Sequence, residues 1–242
     1  MKSTKEKFLT LSGMLIAVVL LFSIFTIDSK AASTMPEASN GVVKLTEDVT
    51  LTAGYVVPAG TTLKIDLNGH TIKTTTGLKA DVITVEKGAT LTITGNGTIT
   101  NSYTADDYAA VYNNGNTTID GATLELDTTV NKNTFYVVLN HGIMKTKNTN
   151  MSSNDFGSSL FENGYYNYSS TDPRRGHIDG VNEATPKLAI YSGIYDGGLN
   201  TIKNDDNGEI VIENGTFRNT KQVSLMNWNV ATVNGGTFLT PT

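Results

Sequence analysis

The chain has 242 residues but no cysteine, one tryptophan, five prolines and only three arginines. Without cysteine there is no disulfide, so stability has to come from burial and backbone pairing. Lysines are spread singly and the net charge is −5. No basic stripe is left to track a nucleic-acid backbone, and no nucleic-acid partner is expected. Beyond residue 35 no stretch sustains a 3.6-residue apolar period, so helices should be few.

One long apolar run is present. Residues 8–27 follow the basic start "MKSTKEK" and precede "SKAAS", whose small residues Ser29 and Ala31 suit a signal peptidase. Residues 1–31 are therefore expected to be a signal peptide, 32–41 a polar linker or frayed start, and 42–242 the fold. The chain is expected to be secreted or held at the cell surface. The alternative is a membrane anchor left uncleaved, since about 20 apolar residues can span a bilayer. Export without disulfides suits a bacterium, which makes "NGT" at Asn96 and Asn214 weak signs of glycosylation.

What is abundant is Asn, Thr and Gly, and they recur in order. "GTTLKIDLNGHTI" from Gly60 and "GATLTITGNGTI" from Gly88 alternate apolar residues with polar ones, and each run ends in a turn. Leu63, Ile65 and Leu67 match Leu91 and Ile93, as a strand of period two requires. Looser copies start at Gly115, Gly142, Pro186, Gly208 and Asn229. The first four starts are 28, 27 and 27 residues apart, and the last three 22 and 21. The 44 residues from Gly142 to Pro186 leave room for a further coil, for which "GYYNYSSTDP" at Gly164 is the candidate. So small a unit cannot bury its apolar face alone, so the copies must stack as a solenoid of parallel strands. Seven to nine coils are expected, with corner asparagines accepting the left-handed backbone region. A β-sandwich also shows many short strands, but fixed offsets in five or more copies favour the solenoid.

From about Val42 onward, "LKIDLNGHTI", "GATLTITGNGTI", "IENGTF" and "VNGGTF" resemble the right-handed parallel β-helix proteins of the pectin-lyase-like superfamily. They resemble in particular the secreted or surface β-helix proteins of Gram-positive bacteria. The resemblance implies an all-β, right-handed parallel β-helix. It does not choose among lyases, glycosidases, adhesins and inert repeats.

For chemistry, outward residues on stacked coils should form columns: Lys64/Asp66, Thr92/Thr94, Thr118/Asp120, Lys145/Lys147, Ala189/Tyr191, Val211/Glu213 and Thr232/Asn234. Mixed columns exclude the regular threonine array of an ice binder. Asp120 beside Lys147 is a weak catalytic candidate, and a surface salt bridge is its plainer reading. Glycosidases of the resembled superfamily combine aspartates with a Gly-His-Gly stretch. Here "TIDG", "NHGI" (His141) and "NDDNG" (Asp205, Asp206) occur in another order, with no convincing carboxylate pair. A lyase would add calcium and a basic residue; otherwise no cofactor is expected.

The long departure from the repeat, residues 154–185, gathers Phe156, Phe161, Tyr165, Tyr166 and Tyr168 with Asp172, Arg174, Arg175, His177 and Asp179. Loops on a rigid scaffold carry binding, and arginine grips carboxylates in a fork. Tyr165, Tyr166, Tyr168, Arg174 and Arg175 are the binding candidates, and Arg174, Arg175, His177 and Asp179 the weak catalytic ones. Otherwise the aromatics cover the core and the charges pair together. His177 and Asp179 alone are too few for a metal site. The expected partner is a polysaccharide or cell-envelope glycan, bound by a surface protein. A polysaccharide lyase or glycoside hydrolase is the first alternative. A scaffold that self-associates through an uncapped final coil is the second.

Overall fold

A computed structural model describes residues 33–105, 107–127, 135–154, 157–167, 170–178 and 184–240. The expected signal peptide (1–31), Phe156, Tyr168 and Asp179 lie outside the described residues. Among those described there is no helix, and none long and apolar enough to cross a membrane.

Three parallel sheets run the length of a β-solenoid, and each coil gives one strand to each sheet except at one end, where the third sheet has one strand fewer. The first sheet stacks Val42–Lys44, Thr62–Asp66, Thr90–Thr94, Asn116–Asp120, Ile143–Lys147, Lys187–Ile190, Glu209–Ile212 and Val230–Val233. Its eight strands fall within the expected number of coils. The second sheet also has eight strands, from Val49–Leu51 to Thr237–Leu239. The third stacks Tyr55–Val57, Ile83–Val85, Val111–Asn113, Val138–Asn140, Phe161–Asn163, Ile202–Asn204 and Leu225–Asn227. All ladders between these strands are parallel, where a sandwich would need antiparallel ones.

The registers put like residues over like. Ile65, Ile93 and Ile119 are consecutive partners in the first sheet, and all three are fully buried. In the second sheet the inward column passes from Leu124 through Met151 to Tyr195, Phe217 and Phe238. Its last three rings stack at 5.1 and 4.8 Å, within 14° of parallel, and the Tyr195 hydroxyl meets Thr146 Oγ1 at 2.7 Å. At the corner between these sheets, Asn68, Asn96 and Asn148 have φ near +50°, a region asparagine tolerates.

The third sheet holds a feature of another kind. Its last inward position is Val57 and Val85 in the early coils, then Asn113, Asn140, Asn163, Asn204 and Asn227. Each amide nitrogen of the first four donates to the next asparagine's oxygen at 2.7 Å. These side chains satisfy one another inside the solenoid, as buried polar groups must.

The expected additional coil at Gly164 does not exist. Ile143–Lys147 pairs directly with Lys187–Ile190, so the described residues of 164–186 lie outside these ladders. "GYYNYSSTDP" offers no alternating apolar pair to turn inward. Among its described residues, Tyr165 makes an isolated antiparallel bridge with Asp206. Phe161, grouped by sequence with the loop aromatics, is instead a fully buried core residue of the third sheet.

Candidate functional site

The excursion folds over the outer face of the third sheet. Outward residues there form the column Val56, Thr84, Tyr112, Leu139, Glu162, Lys203 and Met226. Arg174 fastens the excursion to this face. Its two terminal nitrogens donate to the two Asp81 carboxylate oxygens at 2.6 Å each, and Nη2 also donates to the Asp107 carbonyl at 2.7 Å. The Asp81 side chain is 5% exposed and that of Arg174 20%. Asp81 also accepts the Ala109 backbone N–H at 2.6 Å. The guanidinium lies 4.5 Å from the ring centre of Tyr112 and 5.3 Å from that of Phe135, where cation–π attraction adds to the pair.

The other candidates have local partners. Arg175 meets Asp107 and, at 3.8 Å, Asp172. Tyr166 is half-buried and packs against Tyr136 and Phe135. Tyr165 is 1% exposed, with its ring 4.2 Å from that of His141 and 5.4 Å from that of His177. It is therefore not an open platform. Asp120 and Lys147 lie on the first sheet in direct register, their charges 3.8 Å apart and both half-exposed. Asp120 also accepts from the Asn148 amide at 2.9 Å, and neither residue lines a cavity described here. Asp120→Ala should change stability by less than about 0.5 kcal/mol, read from urea unfolding midpoints.

Two groups on this face were not chosen from sequence. Glu162 is fully buried, with Lys203 Nζ 3.7 Å away and itself paired to Asp205. Burial pushes the Glu162 carboxyl well above its ordinary range, and Lys203 opposes this. The alternation in "LFENG" was the available signal: Phe161 in, Glu162 out, Asn163 in.

The second group is His141, known from sequence only as part of "NHGI". It is 3% exposed, its Nδ1 lies 3.4 Å from the Tyr112 hydroxyl, and its Nε2 has no hydrogen-bond partner among the described residues. Burial first, and the Arg174 charge second, lower its pKa to about 3, while a weak interaction with the Gly164 backbone opposes them. The folded state therefore keeps His141 neutral where the unfolded chain takes a proton near pH 6.5. Stability should fall as pH drops from about 6.5 toward 3, by up to about 2–3 kcal/mol at pH 4. Urea midpoints at pH 7 and 4 check this, and His141→Asn should flatten that slope.

Between excursion and solenoid lie two adjoining cavities, of about 250 and 290 Å³. The first is lined by Glu86, Lys87, Tyr112, Asn114, His141 and Tyr165, with Pro173 and Ala184 from the excursion. Asn114 and Ala184 also line the second, which continues past Gly115 and Gly142 to the exposed Ile143. Sharing Asn114 and Ala184, they form one groove, and each part by itself is a little smaller than the roughly 300–1,000 Å³ typical of small-ligand sites. Among the described residues no three acidic or histidine side chains gather as a metal would need. No protein-family profile, curated protein or solved structure matches this chain.

Proposed function

We propose that the chain is an exported bacterial surface or secreted protein that binds polysaccharide, and that its solenoid is a right-handed β-helix of the pectin-lyase-like kind. The observation that carries the binding reading is the groove beside the 164–186 excursion. Its wall is clamped to the solenoid by the Arg174–Asp81 pair, so the site is preformed and little ordering is required of it on binding. Tyr112 and Asn114 supply an aromatic surface and an amide, groups suited to sugar faces and hydroxyls. Binding is favoured over turnover because, among the catalytic candidates of the excursion, Arg174 is held in an ion pair with Asp81. Asp120 and Lys147 lie outside the groove.

Retention of the purified chain on insoluble polysaccharides, with and without calcium, tests the proposal, with reducing ends and the ultraviolet absorbance of unsaturated uronates read in parallel. Retention without cleavage is expected. Cleavage products would replace binding by turnover, and a chain retained by no polymer would end the polysaccharide reading. A second reading, association with another copy, rests on the coil that includes Leu225–Leu239, where Trp228, Val230, Val233 and Leu239 are exposed. Sedimentation over a range of concentrations tests it, and a constant monomer would remove it.

A further inference from the structure

Resting on the polysaccharide reading, the geometry points to a neutral glycan as the occupant of the groove, one whose sugar units carry hydroxyls but no carboxylate or sulfate. Two arginines in "DPRRGH" look from sequence like a fork for acidic sugars, and the structure pairs both with the chain's own carboxylates, Arg174 with the buried Asp81 and Arg175 with the half-exposed Asp107 and Asp172. Both terminal nitrogens of Arg174 are bonded to Asp81, one of them also to the Asp107 carbonyl, and its face lies over Tyr112. Arg175 lies between Asp107 and Asp172 and is not among the groove residues.

Among the described residues of the lining, the one acid and the one exposed base balance in formal charge. Glu86 and Lys87 are adjacent at the exposed rim of the first cavity, and Glu86 Oε2 is fixed by the Ala59 backbone N–H at 3.0 Å. His141, the other basic group of the lining, is buried behind Tyr112 with Arg174 nearby, and both circumstances oppose its taking a proton. A carboxylated sugar entering here would lose water and meet no net positive charge, a larger cost than hydroxyl groups meet. The chain's net charge of −5 adds a long-range field that slows the approach of polyanions. What remains for recognition is uncharged, the Tyr112 ring and the Asn114 amide beside it, since the Gly115 and Gly142 backbone groups are already bonded within the solenoid.

The experiment is retention of the full chain on matched neutral and uronate-containing polysaccharides at about 20 and 300 mM NaCl, a range over which electrostatic attraction is screened. Neutral polymers should retain the chain at least about tenfold better, with little change on adding salt. Asn114→Ala, with an unchanged far-ultraviolet circular dichroism spectrum, should lower that retention at least about fivefold. Equal or stronger retention on uronate polymers, lost on adding salt, would overturn the inference while leaving polysaccharide binding standing. Neutral retention unaffected by Asn114→Ala would overturn the placement in this groove. Retention by neither polymer would remove the polysaccharide reading itself.

Discussion

Replacing Arg174 by leucine is expected to destabilise the protein by about 3–5 kcal/mol and to release the excursion from the third sheet. The reason is the partner left behind. Asp81 is almost wholly buried, and without Arg174 its charge keeps only the Ala109 N–H and a long contact from Thr84. Breaking one side of a buried pair costs more than removing both, because an unpaired charge remains in a poor solvent. The double replacement Asp81→Leu with Arg174→Leu should therefore recover much of the loss. Urea unfolding measures the stability, and limited proteolysis within residues 164–186 measures the release. If the single variant unfolds at the wild-type midpoint, the clasp contributes nothing. If it unfolds early but the excursion stays protected, the clasp does not hold the groove wall.

A second large effect is expected at the middle of the asparagine ladder. Asn163 accepts from Asn140 and donates to both Asn204 and the Glu209 carbonyl. Asn163→Val removes all three bonds and leaves the Asn204 oxygen buried without its donor, for a loss of about 2–4 kcal/mol. Val85 holds the equivalent position in an earlier coil, so the valine fits the column and the loss is one of hydrogen bonding. Asn227→Val is the control. It ends the ladder at an exposed position, where water replaces the lost partner, and should lose less than about 1 kcal/mol. Equal losses at the two positions would mean that the ladder's interior is worth no more than its end.

The candidate site was legible only in part. Sequence pointed to the excursion as the place to look, and there Arg174 and Arg175 were expected to meet a ligand; the structure turns both toward aspartates. Asp81 is 93 residues from Arg174, and nothing near either residue announces the pairing. His141 and Glu162 follow or occupy third-sheet strands of three residues, too short for a period to stand out. The ladder had a visible sign, an asparagine recurring after an outward residue in "VYN", "VLN", "FEN", "IKN" and "LMN". It was masked by the neighbouring corner asparagines, which explain themselves as turn formers.

By itself the sequence determined the parallel solenoid and the register of its first sheet from Thr62–Asp66 onward, down to Asp120 lying over Lys147; the strand Val42–Lys44 before it carries no copy of the repeat. That was possible because the alternation of Leu63 and Ile65, repeated in Leu91 and Ile93, is a local property carried by each coil alone. Only the tertiary structure decided that the Gly142–Pro186 interval holds an excursion and not a coil, and where that excursion docks. It also decided which charges are free to meet a ligand. Those outcomes depend on contacts between residues tens of positions apart, whose energies arise only once the coils are stacked and the outer face of the third sheet exists.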